Sequence, residues 1–186
     1  CGEAEIDLVF ILDTSGSVKE RNFQCMKDFV KNFLCIADID NGNVRVGVMI
    51  YDSNAHAQFQ LSSYGTKMEV FDAIDKISHL GGGTNTADAL KTMGTVMYTP
   101  QNGDRAGVPN ICVLLTDDTS ISDRTILKAE QATAEGIHIY AIVIDGTNTR
   151  ELHGNARKPV EENLFAVQEF SDLPLLRDKV FESFCQ

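Results

Sequence analysis

Short, almost unbroken apolar runs alternate along this chain with longer stretches in which apolar residues return every three or four positions. The first kind reads as strands buried on both faces, the second as helices with one buried stripe. Glu5–Asp13, Val44–Tyr51, Asn110–Thr116 and Ile137–Ile144 are of the first kind. Ala55–Leu61 follows Val44–Tyr51 so closely that it is expected to return as an antiparallel partner, and Leu164–Val167 is expected at a sheet edge. A helix is predicted over Lys19–Ala37, where Phe23, Met26, Val30, Phe33 and Ala37 share a face. Others are predicted over Lys67–Leu80, broken by Gly81-Gly82-Gly83, and over Thr86–Tyr98. Asp123–Glu135, stopped by Gly136, and Leu175–Phe184 complete the set. Gln101–Pro109 reads as a loop, and Gly146–Glu162 as polar loops around a short helix.

Strands alternating with helices imply an α/β class: a doubly wound, mostly parallel central sheet of about six strands, with one antiparallel edge strand and helices on both faces, Rossmann-like. The 186 residues suit one domain, 1–186. In such sheets ligands gather at the carboxyl ends of the strands, so the residues just after each apolar run are where chemistry is sought.

Charge narrows the classes of partner. Sixteen Lys and Arg face 27 Asp and Glu, a net charge of −11, with no basic run and no Trp. Nucleic acid is therefore not an expected partner. The longest apolar runs, such as Leu8–Leu12 and Ile139–Ile144, fall far short of the ~20 residues that span a bilayer, so membrane insertion is not expected. Without a leader, and running from Cys1 to Cys185-Gln186, the chain reads as an excised domain or processed product. Termini of compact domains often lie close together, so a Cys1–Cys185 disulfide is expected, and with it an oxidising compartment. Cys25 and Cys35 fall in one predicted helix, about 15 Å apart at 1.5 Å per residue, too far to bridge. With Cys112 they read as small core residues, or one of them as a thiol pairing between chains.

Three loops at the chosen edge carry oxygen donors. The first apolar run ends in Asp13-Thr14-Ser15-Gly16-Ser17, and the strand before Asp117-Asp118 ends in Thr116. Between them lies Gly81-Gly82-Gly83-Thr84-Asn85-Thr86. Carboxylates and hydroxyls converging on a point suit a hard dication such as Mg²⁺. Taken singly, the same residues read as helix caps and turn residues.

Together, Asp13-x-Ser15-x-Ser17, Gly-Gly-Gly-Thr84-Asn-Thr86 and Leu-Leu-Thr116-Asp117 resemble the von Willebrand factor A domain, or integrin I domain, over nearly the whole chain. Arg45-Val46-Gly47-Val48 and Gly107-Val108-Pro109 further resemble its extracellular-matrix branch, seen in matrilins and collagen VI. The resemblance implies a metal-ion-dependent adhesion site. Ser15, Ser17 and Thr84 would then be direct ligands, Asp13 and Asp117 direct or water-mediated ones, and Thr86 a supporting residue. It implies a divalent cation, Mg²⁺ first, with Mn²⁺ or Ca²⁺ as alternatives, and an extracellular protein ligand that supplies an acidic side chain. Collagen or another matrix protein is the expected ligand, and secretion to the extracellular matrix the expected location. Members of that family switch affinity through movement of their last helix, which corresponds here to Leu175–Phe184. One departure stands out: the family usually has Gly where this chain has Asp118. That carboxylate either over-neutralises the metal or, the favoured reading, points away and reshapes the turn.

Other signals weigh less. Asp38-x-Asp40-x-Gly42 lacks the terminal acid of an EF-hand loop, and His56, His79, His138 and His153 have no metal-type spacing. No Gly-x-Ser-x-Gly elbow and no N-glycosylation sequon occur. Arg105, Arg150, Arg157 and Lys158 read as solvated loop charges. A Mg²⁺-dependent phosphatase using Asp13 as nucleophile is disfavoured, because Ser15 replaces the second acid such enzymes place there. The expected function is thus a non-enzymatic matrix adhesion module; the alternative is a structural matrix-assembly domain whose metal site binds no ligand.

Overall fold

A computed structural model describes residues 4–119, 122–144 and 163–184. Its sheet has the strand order β3-β2-β1-β4-β5-β6, formed by β1 (Ile6–Asp13), β2 (Val44–Tyr51), β3 (Ala55–Phe59), β4 (Asn110–Thr116), β5 (Ile137–Ile144) and β6 (Leu164–Val167). β3 pairs antiparallel with β2, and the other pairings are parallel. This is the doubly wound sheet expected from the alternation of runs, and the order reverses at β1, the topological switch point.

β1 is central because all its residues are apolar or internally paired, and all eight are buried. Successive side chains leave a strand on opposite faces. Leu8, Phe10 and Leu12 accordingly join one core layer with Phe23, Met26 and Phe33 of α1 (Lys19–Leu34). Val9 and Ile11 join the other, with Leu90 of α3 (Thr86–Thr92) and Ala129 of α4 (Asp123–Ala134). Gly47 of β2 leaves room for this layer, since a Cβ there would sit 2.9 Å from the terminal methyl of Met97, which would have to shift.

Several helices stop short of their apolar patterns. α1 ends at Leu34; Ala37 and Ile39 stay buried but lie in the following turn. α2 (Lys67–Asp75) ends five residues before Leu80. There the buried Lys27 ammonium of α1 takes the carbonyls of Asp75 (3.3 Å) and Ile77 (2.9 Å), which a continuing helix would have used itself. α3 gives way to a wider π-type turn, Met93–Met97. The last helix begins as a 3₁₀ segment, Phe170–Leu176, around Pro174, which lacks the N–H an α-helix needs. Only α5 (Arg177–Ser183) is α-helical there.

Two residues, Cys35 and Arg105, depart from their expected roles. Cys35 is exposed rather than in the core, because α1 ends just before it; Cys25 is half-buried and Cys112 buried. All three are free thiols, while the expected Cys1–Cys185 bridge lies outside the described residues. Arg105 is not a solvated loop charge. It clamps the fully buried Asp7 through its backbone N–H (2.7 Å) and Nε (2.8 Å), tying the loop before β4 to the sheet. His153, Arg150, Arg157, Lys158 and all of Gly146–Glu162 lie outside the described residues. The Asp38-Asp40 turn is internally satisfied: Asp38 accepts from Asn41 and Asn43, and Asp40 from the Lys67 N–H. Among the described residues no helix is long and apolar enough to cross a membrane.

Candidate metal centre

The site grows out of the switch point. Asp13 is the last residue of β1, fully buried, and both its carboxylate oxygens are held. Oδ1 accepts the Ser15 N–H (2.9 Å), and Oδ2 accepts the Thr116 hydroxyl from the end of β4 (2.7 Å). The Ser17 hydroxyl donates to Asp117 Oδ1 (2.9 Å) and lies 3.1 Å from the Ser15 hydroxyl. Because Ser17 gives its proton to Asp117, the Ser15–Ser17 bond runs from Ser15. Asp13, Ser15, Ser17 and Asp117 thus form one hydrogen-bonded chain across two loops that are distant in sequence. The capping alternative fails for the first loop: no side chain caps α1, whose N-cap position is Val18.

The glycine loop is stitched against the first. Gly16 N–H donates to the Gly82 carbonyl (2.8 Å), and Gly81 N–H to that of Thr14 (2.9 Å). The Thr14 hydroxyl accepts from Leu80 N–H (2.8 Å), and the His79 Nε2 lies 3.0 Å from the Ser15 carbonyl. Gly82 must be glycine, since a Cβ would fall 2.3 Å from Asp52 Oδ2. Two residues further, Thr84 is exposed at the same edge, and among the described residues no hydrogen bond joins it to the chain of donors. Thr86 is buried, its hydroxyl 3.1 Å from that of Tyr51, and Asn85, not a threonine, caps α3.

Burial raises the Asp117 carboxyl above the ordinary carboxylate range and the Asp13 charge adds to the rise, while the Ser17 hydrogen bond opposes it. Burial also holds the Tyr51 phenol far above its usual value, again with the Asp13 charge behind it. Among the described residues neither carboxylate has an ion-pair partner.

The donor set fits a small dication. Adjacent ligands of an octahedral ion bound at about 2.0–2.1 Å lie roughly 2.9 Å apart. The Ser17–Asp117 and Ser15–Ser17 oxygen separations, 2.9 and 3.1 Å, are of that size. No three His, Cys, Asp or Glu side chains gather among the described residues, which agrees with a set of two acids and neutral hydroxyls.

Thr116, which the sequence places in the Leu-Leu-Thr116-Asp117 motif without a role of its own, holds Asp13 and accepts the Asp118 N–H (2.9 Å). The signal was a hydroxyl residue ending an otherwise apolar strand. Asp118 borders a cavity of about 170 Å³ beneath α4, with Leu90 and Ala129, whereas Asp117 borders a groove beside α1. The consecutive residues thus border different hollows of the surface.

A doubly wound sheet with this loop arrangement at its switch point defines a known class: a family model of the von Willebrand factor type A domain matches residues 7–179, and the chain belongs to that family. Mouse collagen alpha-4(VI) chain is 34% identical over 188 residues, covering 100% of this chain and 8% of its own. Human matrilin-3 is 31% identical, covering 100% of this chain and 38% of its own. Proximal thread matrix protein 1 from the mussel byssus superposes with a TM-score of 0.88 over 98% of this chain and 49% of its own, at 24% identity, a likeness of fold. The chain therefore spans less than half the length of each. Its curated relatives are secreted extracellular-matrix proteins, matrilins and collagens VI and XII, the location expected from the sequence.

Proposed function

We infer that this chain is a non-enzymatic adhesion domain of the extracellular matrix. In this reading Asp13, Ser15, Ser17, Thr84 and Asp117 hold one divalent cation, with Mg²⁺ preferred to Mn²⁺ or Ca²⁺, and Thr86 and Thr116 support them. The observation that carries the reading is the hydrogen-bonded relay Ser15–Ser17–Asp117, whose oxygen spacings of 3.1 and 2.9 Å suit adjacent ligands of one ion. The mussel byssal protein, similar in fold, has itself been solved with a zinc-occupied MIDAS motif.

The bound ion would offer a coordination position to an acidic side chain of a protein ligand. The chain's residues prepare for this by using hydroxyls where further carboxylates would cancel the ion's charge. Asp13 is oriented by Thr116 and the Ser15 N–H, which fix its carboxylate at the end of β1. The matrix relatives make a matrix protein, collagen first, the ligand to test. An enzyme is disfavoured because Ser15 stands where a phosphatase of this topology needs its second acid.

Titration calorimetry with Mg²⁺ and Mn²⁺ is expected to show one site that Asp13→Ala abolishes. Solid-phase binding to collagens and other matrix proteins is expected to vanish with EDTA and in the same variant. No metal binding at millimolar concentration would overturn the reading. Metal binding together with EDTA-resistant capture would favour instead a matrix-assembly domain whose ion is not used for the ligand.

A further inference from the structure

The groove bordered by Asp117 has a volume of about 620 Å³, between Arg21 and Cys25 of α1 and the segment Gln168, Glu169 and Ser171 after β6. That size falls within the roughly 300–1,000 Å³ of binding clefts. Its lining is mostly polar, and Arg21 is exposed in it. In a chain of net charge −11, Arg21 has no carboxylate partner among the described residues. It also sits in the first turn of α1, where the helix dipole disfavours a cation. Neither helix stability nor an ion pair within the described fold accounts for its charge. Glu169, the acid across the groove, is the N-cap residue of the 3₁₀ segment, with the Ser171 hydroxyl 3.4 Å from its Oε2.

We propose that this groove seats a partner segment with two acidic side chains, one directed to the metal beside Asp117 and the other to the guanidinium of Arg21. The proposal rests on the metal-dependent reading above and adds the chemistry of the ligand: a closely spaced pair of acids rather than a single one. Arg21 then serves specificity, because a guanidinium accepts a carboxylate through two parallel hydrogen bonds.

The test uses the 186-residue chain loaded with Mn²⁺, and reads water-proton relaxation as carboxylates displace water from the ion. The probes are capped peptides carrying one glutamate, or two separated by one to four glycines. In the wild-type chain the best two-glutamate peptide is expected to bind about three- to fivefold more tightly than the single-glutamate peptide, the scale of an exposed ion pair. Arg21→Gln should erase that advantage and Arg21→Glu reverse it, each judged against the same variant's own single-glutamate affinity. Mn²⁺ binding with no two-acid advantage, or with an advantage that survives Arg21→Gln, overturns this inference alone. Failure to bind Mn²⁺ overturns it together with the metal reading.

Discussion

Thr116 shows how one hydroxyl can govern a site it does not enter. It donates to Asp13 and accepts from Asp118 N–H, so it fixes both the first carboxylate and the turn that carries the second. Thr116→Val keeps the shape and removes both bonds. Stability should fall by about 1–3 kcal/mol, the cost of buried groups left unpaired. Metal affinity should fall about 10- to 100-fold, as when an outer partner of a ligand is lost. Thr116→Ser should restore most of the affinity, and calorimetry with Mn²⁺ on the three proteins decides the matter. The residues named from the loops were legible because carboxylate and hydroxyl types recur at fixed offsets after apolar runs. Thr116 was not, because a threonine in a strand has an ordinary reading as a β-branched residue. Arg105 was misread for a related reason: its loop is polar, and only the fold brings it onto Asp7, 98 positions away.

The sequence located every strand of the sheet within a residue or two: the buried strands by their continuous apolar runs, and the mostly exposed β3 by following β2 so closely. Helix ends were less legible. The apolar spacing of α2 continues to Ile77 and Leu80, but the helix stops at Asp75 because a partner from another element claims its carbonyls. That partner, Lys27, is 5% exposed and touches no carboxylate among the described residues. Its charge is met by backbone oxygens and by the Phe23 ring, 5.7 Å away. Lys27→Met should cost about 1–3 kcal/mol in urea denaturation, since two buried carbonyls lose their donor. Lys31 pairs with Asp75 nearer the surface, and Lys31→Ala should change stability by under about 1 kcal/mol. Equal effects would mean that the α2 terminus is not held by the buried ammonium. The segment it anchors leads through His79 into the glycine loop, so α1 positions two of the three loops at the site.

At the scale of the whole molecule, a net charge of −11 includes, at the metal centre, two carboxylates without counter-ions among the described residues. A specific cation should therefore stabilise the fold beyond what screening by salt achieves. At a hundred times its dissociation constant, the ion adds about 2.7 kcal/mol. For a chain of this length that raises the melting temperature by about 5–10 °C. The sign of the pH dependence follows from Asp117, whose carboxyl is raised by burial and by Asp13. A raised acid binds its proton more tightly folded than unfolded. Without cation, its contribution to stability is therefore gained as pH falls through the raised value and lost as pH rises above it. The cation must displace that same proton, so its stabilisation runs the other way, full near neutrality and fading on acidification. Thermal melts with Mg²⁺ should show a larger shift at pH 7.5 than at pH 5, relative to NaCl at equal ionic strength. Asp13→Ala should remove the difference between the two salts. A shift that NaCl reproduces, or that grows on acidification, would mean that the acidic surface, not the relay at the switch point, responds to the ion.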